Sequence, residues 1–140
     1  MATQGKELLG YQERNRGPIL EALQRFLAPD ATGPVVEIAC GNGAHAAFFA
    51  SAFPKLDWLP TDVVDERFPS VRAWAADVSN MRPPVILDCS SRNWQIGIAP
   101  GTAAAVLCIN MCHISPWQAT LGLFAGAGAM LRPGVSAAGG

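Results

Sequence analysis

Charge is scarce in this chain. Of 140 residues, 10 are Lys or Arg and 11 are Asp or Glu, a formal net charge of −1. That balance lacks the basic footprint that nucleic acid or an anionic membrane surface requires, so neither is expected as a partner. Long hydrophobic runs are missing too, and no stretch approaches the length of a membrane span. The opening residues, Met1 to Arg16, are polar and mixed in charge, so no secretory signal is expected. The four cysteines, Cys40, Cys89, Cys108 and Cys112, have no CxxC spacing. They are expected as reduced thiols rather than a disulfide framework, which points to a cytoplasmic setting. Their spacing also matches no zinc pattern, so no metal site is expected. What remains is half hydrophobic and rich in alanine and glycine, enough for one globular domain with one core.

Proline and glycine punctuate the chain into alternating elements. Gly17-Pro18 precedes Ile19, Leu20, Leu23, Phe26 and Leu27, one apolar helix face with Pro18 in its first turn and Asn15 suited as N-cap. After a break over residues 29–34, Val35 to Ala39 reads as a buried strand and Gly43 to Phe53 as a helix ended by Pro54. Asp57 to Asp62 reads as a short strand weakened by Pro60, and Ser70 to Asp77 as a helix. Pro84 to Asp88 and Ala104 to Asn110 supply a third and a fourth strand. Trp117 to Leu131 is a helix stopped by Arg132-Pro133-Gly134. Strands alternating with helices predict parallel βαβ units wound right-handed, an α/β fold of three α-β-α layers. Three parts follow: an N-terminal segment and helix (1–34), the sheet-bearing unit (35–134), and a tail (135–140) without periodicity that is expected to fray. A doubly wound sheet normally continues past its fourth strand, and no fifth strand is read after Gly134. The fold is therefore expected to be truncated, with Ala104–Asn110 an uncovered edge open to self-association.

The chemistry concentrates at Val35-Val36-Glu37-Ile38-Ala39-Cys40-Gly41-Asn42-Gly43-Ala44-His45-Ala46. An apolar strand carrying one carboxylate breaks at two glycines, and an alanine-rich helix follows. This is where an open α/β sheet holds a nucleotide-like cofactor. Two ligand classes fit. Gly41-x-Gly43-x-x-Ala46, with Asp62 about twenty residues on, resembles a relaxed dinucleotide fingerprint. Glu37-x-Ala39-x-Gly41-x-Gly43 resembles the acidic turn of S-adenosylmethionine-dependent methyltransferases. Glu37 favours the second reading. A carboxylate in a buried strand is costly unless something compensates it. A pyrophosphate would add repulsion, whereas the ammonium of the methionyl group would offset the charge.

Four blocks carry a resemblance. They are Glu13-Arg14-Asn15-Arg16-Gly17-Pro18-Ile19-Leu20, Glu37 to Ala46, Arg82-Pro83-Pro84-Val85-Ile86-Leu87-Asp88, and Cys108-Ile109-Asn110-Met111-Cys112-His113-Ile114-Ser115-Pro116-Trp117. In this order they resemble the methyltransferase-like protein 26 family and its bacterial relatives, which also carry alanine where the turn usually has its first glycine. Ala44, Cys40 and Ala104 depart from that family's glutamine, serine and acid. The resemblance implies a Rossmann-like class I methyltransferase fold that binds S-adenosylmethionine and acts on a small-molecule or otherwise unknown methyl acceptor; the alternative is a non-catalytic S-adenosylmethionine-binding or interaction module, left inactive by truncation. It implies that Glu37 accepts from the methionyl ammonium, and that the backbone of Ala39, Gly41, Asn42 and Gly43 passes beneath the methionyl and ribose portions. Asp62 would accept from the ribose hydroxyls, Asp88 from the adenine amino group, and the Cys89 amide would meet a ring nitrogen. The Asn110 backbone would lie near the reacting methyl.

His113, after the fourth strand, is the candidate proton acceptor because imidazole titrates near neutrality. His45, in the first turn of its helix, is read as structural and neutral, since a positive charge there opposes the helix dipole. Glu13 to Arg16 is read either as a cover for the cofactor or as a solvated helix start. Phe48, Phe49, Phe53 and Phe124 are assigned to the core, and Trp58, Trp94 and Trp117 to partly exposed positions.

Overall fold

A computed structural model describes residues 5–109 and 117–134. The element order is α1 (Gly10–Leu23), β1 (Gly33–Ile38), α2 (Ala44–Ala52), β2 (Leu56–Asp62), α3 (Phe68–Ala75), β3 (Val85–Ile86), β4 (Ala105–Cys108) and α4 (Trp117–Met130). The strands form one sheet in the order β3-β2-β1-β4, and every pairing is parallel. One apolar cluster joins Val35, Leu56 and Trp58 to α1, α2 and α3 through Leu20, Phe49 and Val71. A second joins Val36, Ile38 and Leu59 to α4 through Leu123 and Met130. The expected three-layer α/β architecture is the one observed.

Several local expectations change. The first helix starts at Gly10 rather than Pro18, so Pro18 lies inside it and Asn15 is not the N-cap. The end is instead closed at Leu9, whose amide donates to Gln12 Oε1 at 2.9 Å. Pro18 removes one helical hydrogen bond, yet the helix continues because each half is anchored separately. Gln12 is buried at one end, while Ile19, Leu20 and Leu23 reach the core at the other. Pro60 sits inside β2 because its missing N–H falls in a gap. The Trp58 amide and carbonyl bond residues 80 and 82, pairing resumes at Thr61 and Val85, and Pro60 lies between them.

The link from β3 to β4 crosses the sheet face without a helix. It buries Trp94, Ile96 and Ile98 beneath α4. Trp94 approaches so closely that a Cβ on Gly126 would lie 2.1 Å from its ring. Trp94 and Trp58 are thus core residues rather than partly exposed ones, and Phe124, expected in the core, is 60% exposed.

β4 lies at the sheet edge, but its leading end is covered. Ala103 forms a parallel bridge with Leu131, through Ala103 N–H to the Met130 carbonyl (2.8 Å) and Arg132 N–H to the Ala103 carbonyl (2.9 Å). This is a first rung on the edge that was expected to be bare. Arg132 also donates to the Thr32 carbonyl at 3.0 Å, tying the end of α4 to the start of β1. The 135–140 tail, Asn110, Cys112 and His113 lie outside the described residues. Among the described residues, no helix is long and apolar enough to cross a membrane.

Candidate functional site

Parallel strands place their carboxyl ends on one side of the sheet, and the crevice outside those ends is where open α/β sheets bind ligands. Here β1 ends in Glu37 and Ile38, β2 in Asp62, and β3 leads into Asp88. Between β1 and α2 the chain must turn sharply. It does so through left-handed backbone at Ala39 (φ 56°), Gly41 (φ 56°) and Gly43 (φ 84°). Such a conformation is unfavourable for an alanine, so Ala39 stores local strain at the crevice. The two glycines serve different ends. A Cβ on Gly43 would lie 2.9 Å from the Val71 Cα, so Gly43 is required for α2 to meet α3. A Cβ on Gly41 would meet nothing within 4 Å, so the backbone there is open to an approaching group.

Glu37 is 3% exposed, and its Oε1 accepts from Trp58 Nε1–H at 2.9 Å. Burial pushes its carboxyl up to about 7 from 4.5; the Trp58 hydrogen bond opposes this and the Asp62 charge adds to it. Above neutrality Glu37 is therefore a buried anion, whose donor among the described residues is Trp58. Thr61 holds the adjacent backbone, its hydroxyl donating to the Glu37 carbonyl at 2.7 Å. The Cys40 amide donates in turn to the Thr61 carbonyl at 2.9 Å. Burial together with the Glu37 and Asp62 charges pushes the Cys40 thiol well up, so it stays protonated and unreactive.

Asp62 is half-buried at the crevice. Its Oδ2 accepts from the Gly41 amide at 3.0 Å and its Oδ1 from the Val63 amide at 2.8 Å. Each oxygen keeps capacity for a further donor. Asn42 is turned away, its side chain buried against Gln12. Asp88 is exposed, and Oδ1 accepts from the Ser90 hydroxyl (2.6 Å) and amide (3.0 Å), which hold its carboxyl below the usual range. Cys89 is buried, its carbonyl accepting from Trp94 Nε1–H at 3.3 Å. His45 is buried beside Phe49, and burial pushes its imidazole below the ordinary value, consistent with a neutral ring.

Glu37, Ala39, Gly41, Asn42, Gly43 and Asp62 thus form one connected set around the turn. Asp88 and Cys89 stand at the third strand. Sequence reasoning missed Trp58 and Gln12. Only the pairing of Trp58 with Val35 puts its side chain on the Glu37 face, a register that β2 alone does not reveal. Nothing local marked Gln12. A cleft of about 370 Å³, lined by residues such as Arg92, Trp94, Pro100 and Met130, lies away from the turn and shares none of these residues.

The sheet order and the turn are those of a Rossmann-like sheet, and the likeness to solved structures narrows this to the class I methyltransferase fold. The S-adenosylmethionine-dependent methyltransferase SibL in its apo form aligns with TM-score 0.70 and 19% identity over 89% of this chain and 34% of its own. The CurJ carbon methyltransferase aligns with TM-score 0.68 and 14% identity, over 96% of this chain and 36% of its own. The geranyl diphosphate C-methyltransferase from Streptomyces coelicolor A3(2), solved with Mg2+, geranyl diphosphate and S-adenosyl-L-homocysteine, aligns with TM-score 0.67 and 14% identity. That alignment covers 86% of this chain and 44% of the enzyme. The chain therefore spans between 34% and 44% of the length of these neighbours. By sequence, the chain belongs to the DUF938 family, described as a protein of unknown function, whose family model matches residues 7–137.

Proposed function

We propose that this chain binds S-adenosylmethionine at the glycine turn, as a methyltransferase-like protein related to the methyltransferase-like protein 26 family. The observation that carries the reading is Glu37, a buried acid beneath a turn whose Gly41 backbone is open. Its carboxyl group gains most from a neighbouring cation. S-adenosylmethionine supplies such a cation in its methionyl ammonium and, when bound, an electrophilic sulfonium methyl. Asp62 has acceptor capacity for vicinal ribose hydroxyls at the end of β2. Asp88 and the Cys89 amide, at the third strand, serve the adenine. The protein's part in methyl transfer is alignment of the two reactants. His113 would take a proton from the acceptor and the Asn110 backbone would serve the reacting methyl; both lie outside the described residues. A dinucleotide is disfavoured because a pyrophosphate at the turn would add like-charge repulsion to the buried Glu37, whereas Asp62 suits the ribose of either ligand.

A calorimetric titration of the full chain with S-adenosylhomocysteine, and separately with NADH, tests the reading. Saturable binding of S-adenosylhomocysteine alone, abolished in Asp62→Ala, is expected. Binding of NADH without S-adenosylhomocysteine would overturn it.

A further inference from the structure

The N-terminal segment does more than precede the first helix. From Lys6 onward it lies across α3 and reaches the glycine turn. Lys6 pairs with Asp77, and its ammonium lies 5.1 Å from the centre of the Trp74 ring. Trp74 Nε1–H donates to the Glu7 carbonyl at 3.2 Å. The Glu7 amide donates to Ser70 Oγ at 2.8 Å, and the Ser70 hydroxyl donates to the Asn42 carbonyl at 2.7 Å. That chain of bonds runs from strap to helix to turn.

A second and tighter connection is an amide pair. Gln12 Nε2 donates to Asn42 Oδ1 at 3.0 Å, and Asn42 Nδ2 donates back to Gln12 Oε1 at 2.8 Å. Gln12 Oε1 also accepts from the Leu9 amide, and Asn42 Oδ1 also accepts from the Ala44 amide at 3.0 Å. Both side chains are buried, Gln12 at 6% and Asn42 at 1% exposure. The same two groups thereby close the start of α1 and the start of α2. If the strap and the first turn of α1 left together, a buried donor and acceptor on the turn would lose their partners.

We propose that Gln12 is a positioning residue for the cofactor turn: by pairing with Asn42 it couples the N-terminal strap to the conformation of residues 39–44, and hence to ligand affinity. The ligand half of this rests on the S-adenosylmethionine reading. Gln12 touches no reacting atom; it acts through Asn42, whose neighbours Gly41 and Gly43 carry the left-handed turn. Coupling is reciprocal, so a ligand that favours the ordered turn also holds the strap in place.

The test uses the full chain with Gln12→Leu and Gln12→Glu. In Gln12→Leu, the Gly43 and Ala44 amides should exchange with solvent at least tenfold faster, and S-adenosylhomocysteine should bind at least tenfold more weakly. In Gln12→Glu, an ionised carboxylate would face Asn42 Oδ1, acceptor against acceptor; a protonated carboxyl restores the missing donor. This variant should bind like Gln12→Leu at pH 8 and recover to within about threefold of the unaltered chain at pH 5.5. Each comparison is made with the unaltered chain at the same pH, which removes what the two chains share: the carboxyl groups of Glu37 and Asp62 at the turn and the His45 imidazole on α2. The fixed charge of Arg16 on α1 is common to both. Bound S-adenosylhomocysteine should also slow tryptic cleavage after Lys6. Unchanged exchange in Gln12→Leu, or weak binding by Gln12→Glu at both pH values, would overturn the proposal. If the unaltered chain binds no S-adenosylhomocysteine, the cofactor reading falls together with the ligand role of Gln12. The exchange rates then decide the coupling of strap to turn by themselves.

Discussion

Replacing Glu37 by glutamine separates what the fold prefers from what the ligand requires. Glutamine keeps a carbonyl oxygen for the Trp58 N–H and replaces the ionisable oxygen by a neutral NH2 group. In the folded chain Glu37 titrates at about 7 against 4.5 as the ordinary value. The folded state therefore holds this proton more tightly than the unfolded state does. Below about pH 4.5 both states are protonated and the group is neutral to stability. As pH rises from there to about 7 the unfolded chain releases its proton first, so stability falls, and the loss is complete above the folded value. A shift from 4.5 to about 7 corresponds to roughly 3 kcal/mol. Glu37→Gln should accordingly be more stable than the unaltered chain by about that much at pH 8. At about 3 °C per kcal/mol this is roughly 10 °C in melting temperature. The advantage should vanish near pH 4.5.

With S-adenosylhomocysteine present the ranking should invert, because only the carboxylate pairs with the ammonium. Affinity of the unaltered chain should also weaken about tenfold for each pH unit below 7, as the proton must first be displaced. Thermal melts across pH, with and without ligand, measure all of this. A variant no more stable at pH 8 would refute burial as the origin of the shift. Equal ligand stabilisation of both chains would refute the ammonium pairing.

Three other substitutions test the structure, two at the turn and one beneath α4. Asp62→Asn leaves one acceptor oxygen for two amide donors, Gly41 and Val63, and should cost about 1–2 kcal/mol. It should also weaken S-adenosylhomocysteine binding more than tenfold by calorimetry. Ala39→Gly relieves a left-handed alanine and should raise stability by up to about 1 kcal/mol in urea unfolding, the gain being reduced by the greater freedom of unfolded glycine. Gly126→Ala drives a methyl into the Trp94 ring and should cost roughly 1–3 kcal/mol, with a red-shifted tryptophan emission as the indole is displaced.

Most elements were legible from the chain itself, and the reason is local. Apolar period, glycine and proline place β1, α2, β2, α3 and α4 within a few residues of their observed bounds. The glycine turn and the acids at strand ends follow from the same short-range pattern. Pro18 and Asn15 misled because helix ends are normally read from such residues, whereas here the buried Gln12 carries the helix one further turn and more toward its start.

Tertiary structure decided what each side chain faces. That Trp58 supports Glu37 depends on β2 pairing with β1 in register, and that Trp94 lies under α4 depends on the β3–β4 link crossing the sheet. The outward position of Phe124 and the rung between Ala103 and Leu131 depend on which neighbours α4 and β4 receive. The Gln12–Asn42 pair joins residues that no sequence period connects. A polypeptide states its local conformational preferences residue by residue. Burial, and with it the ionisation of Glu37, arises only when distant segments exclude water together.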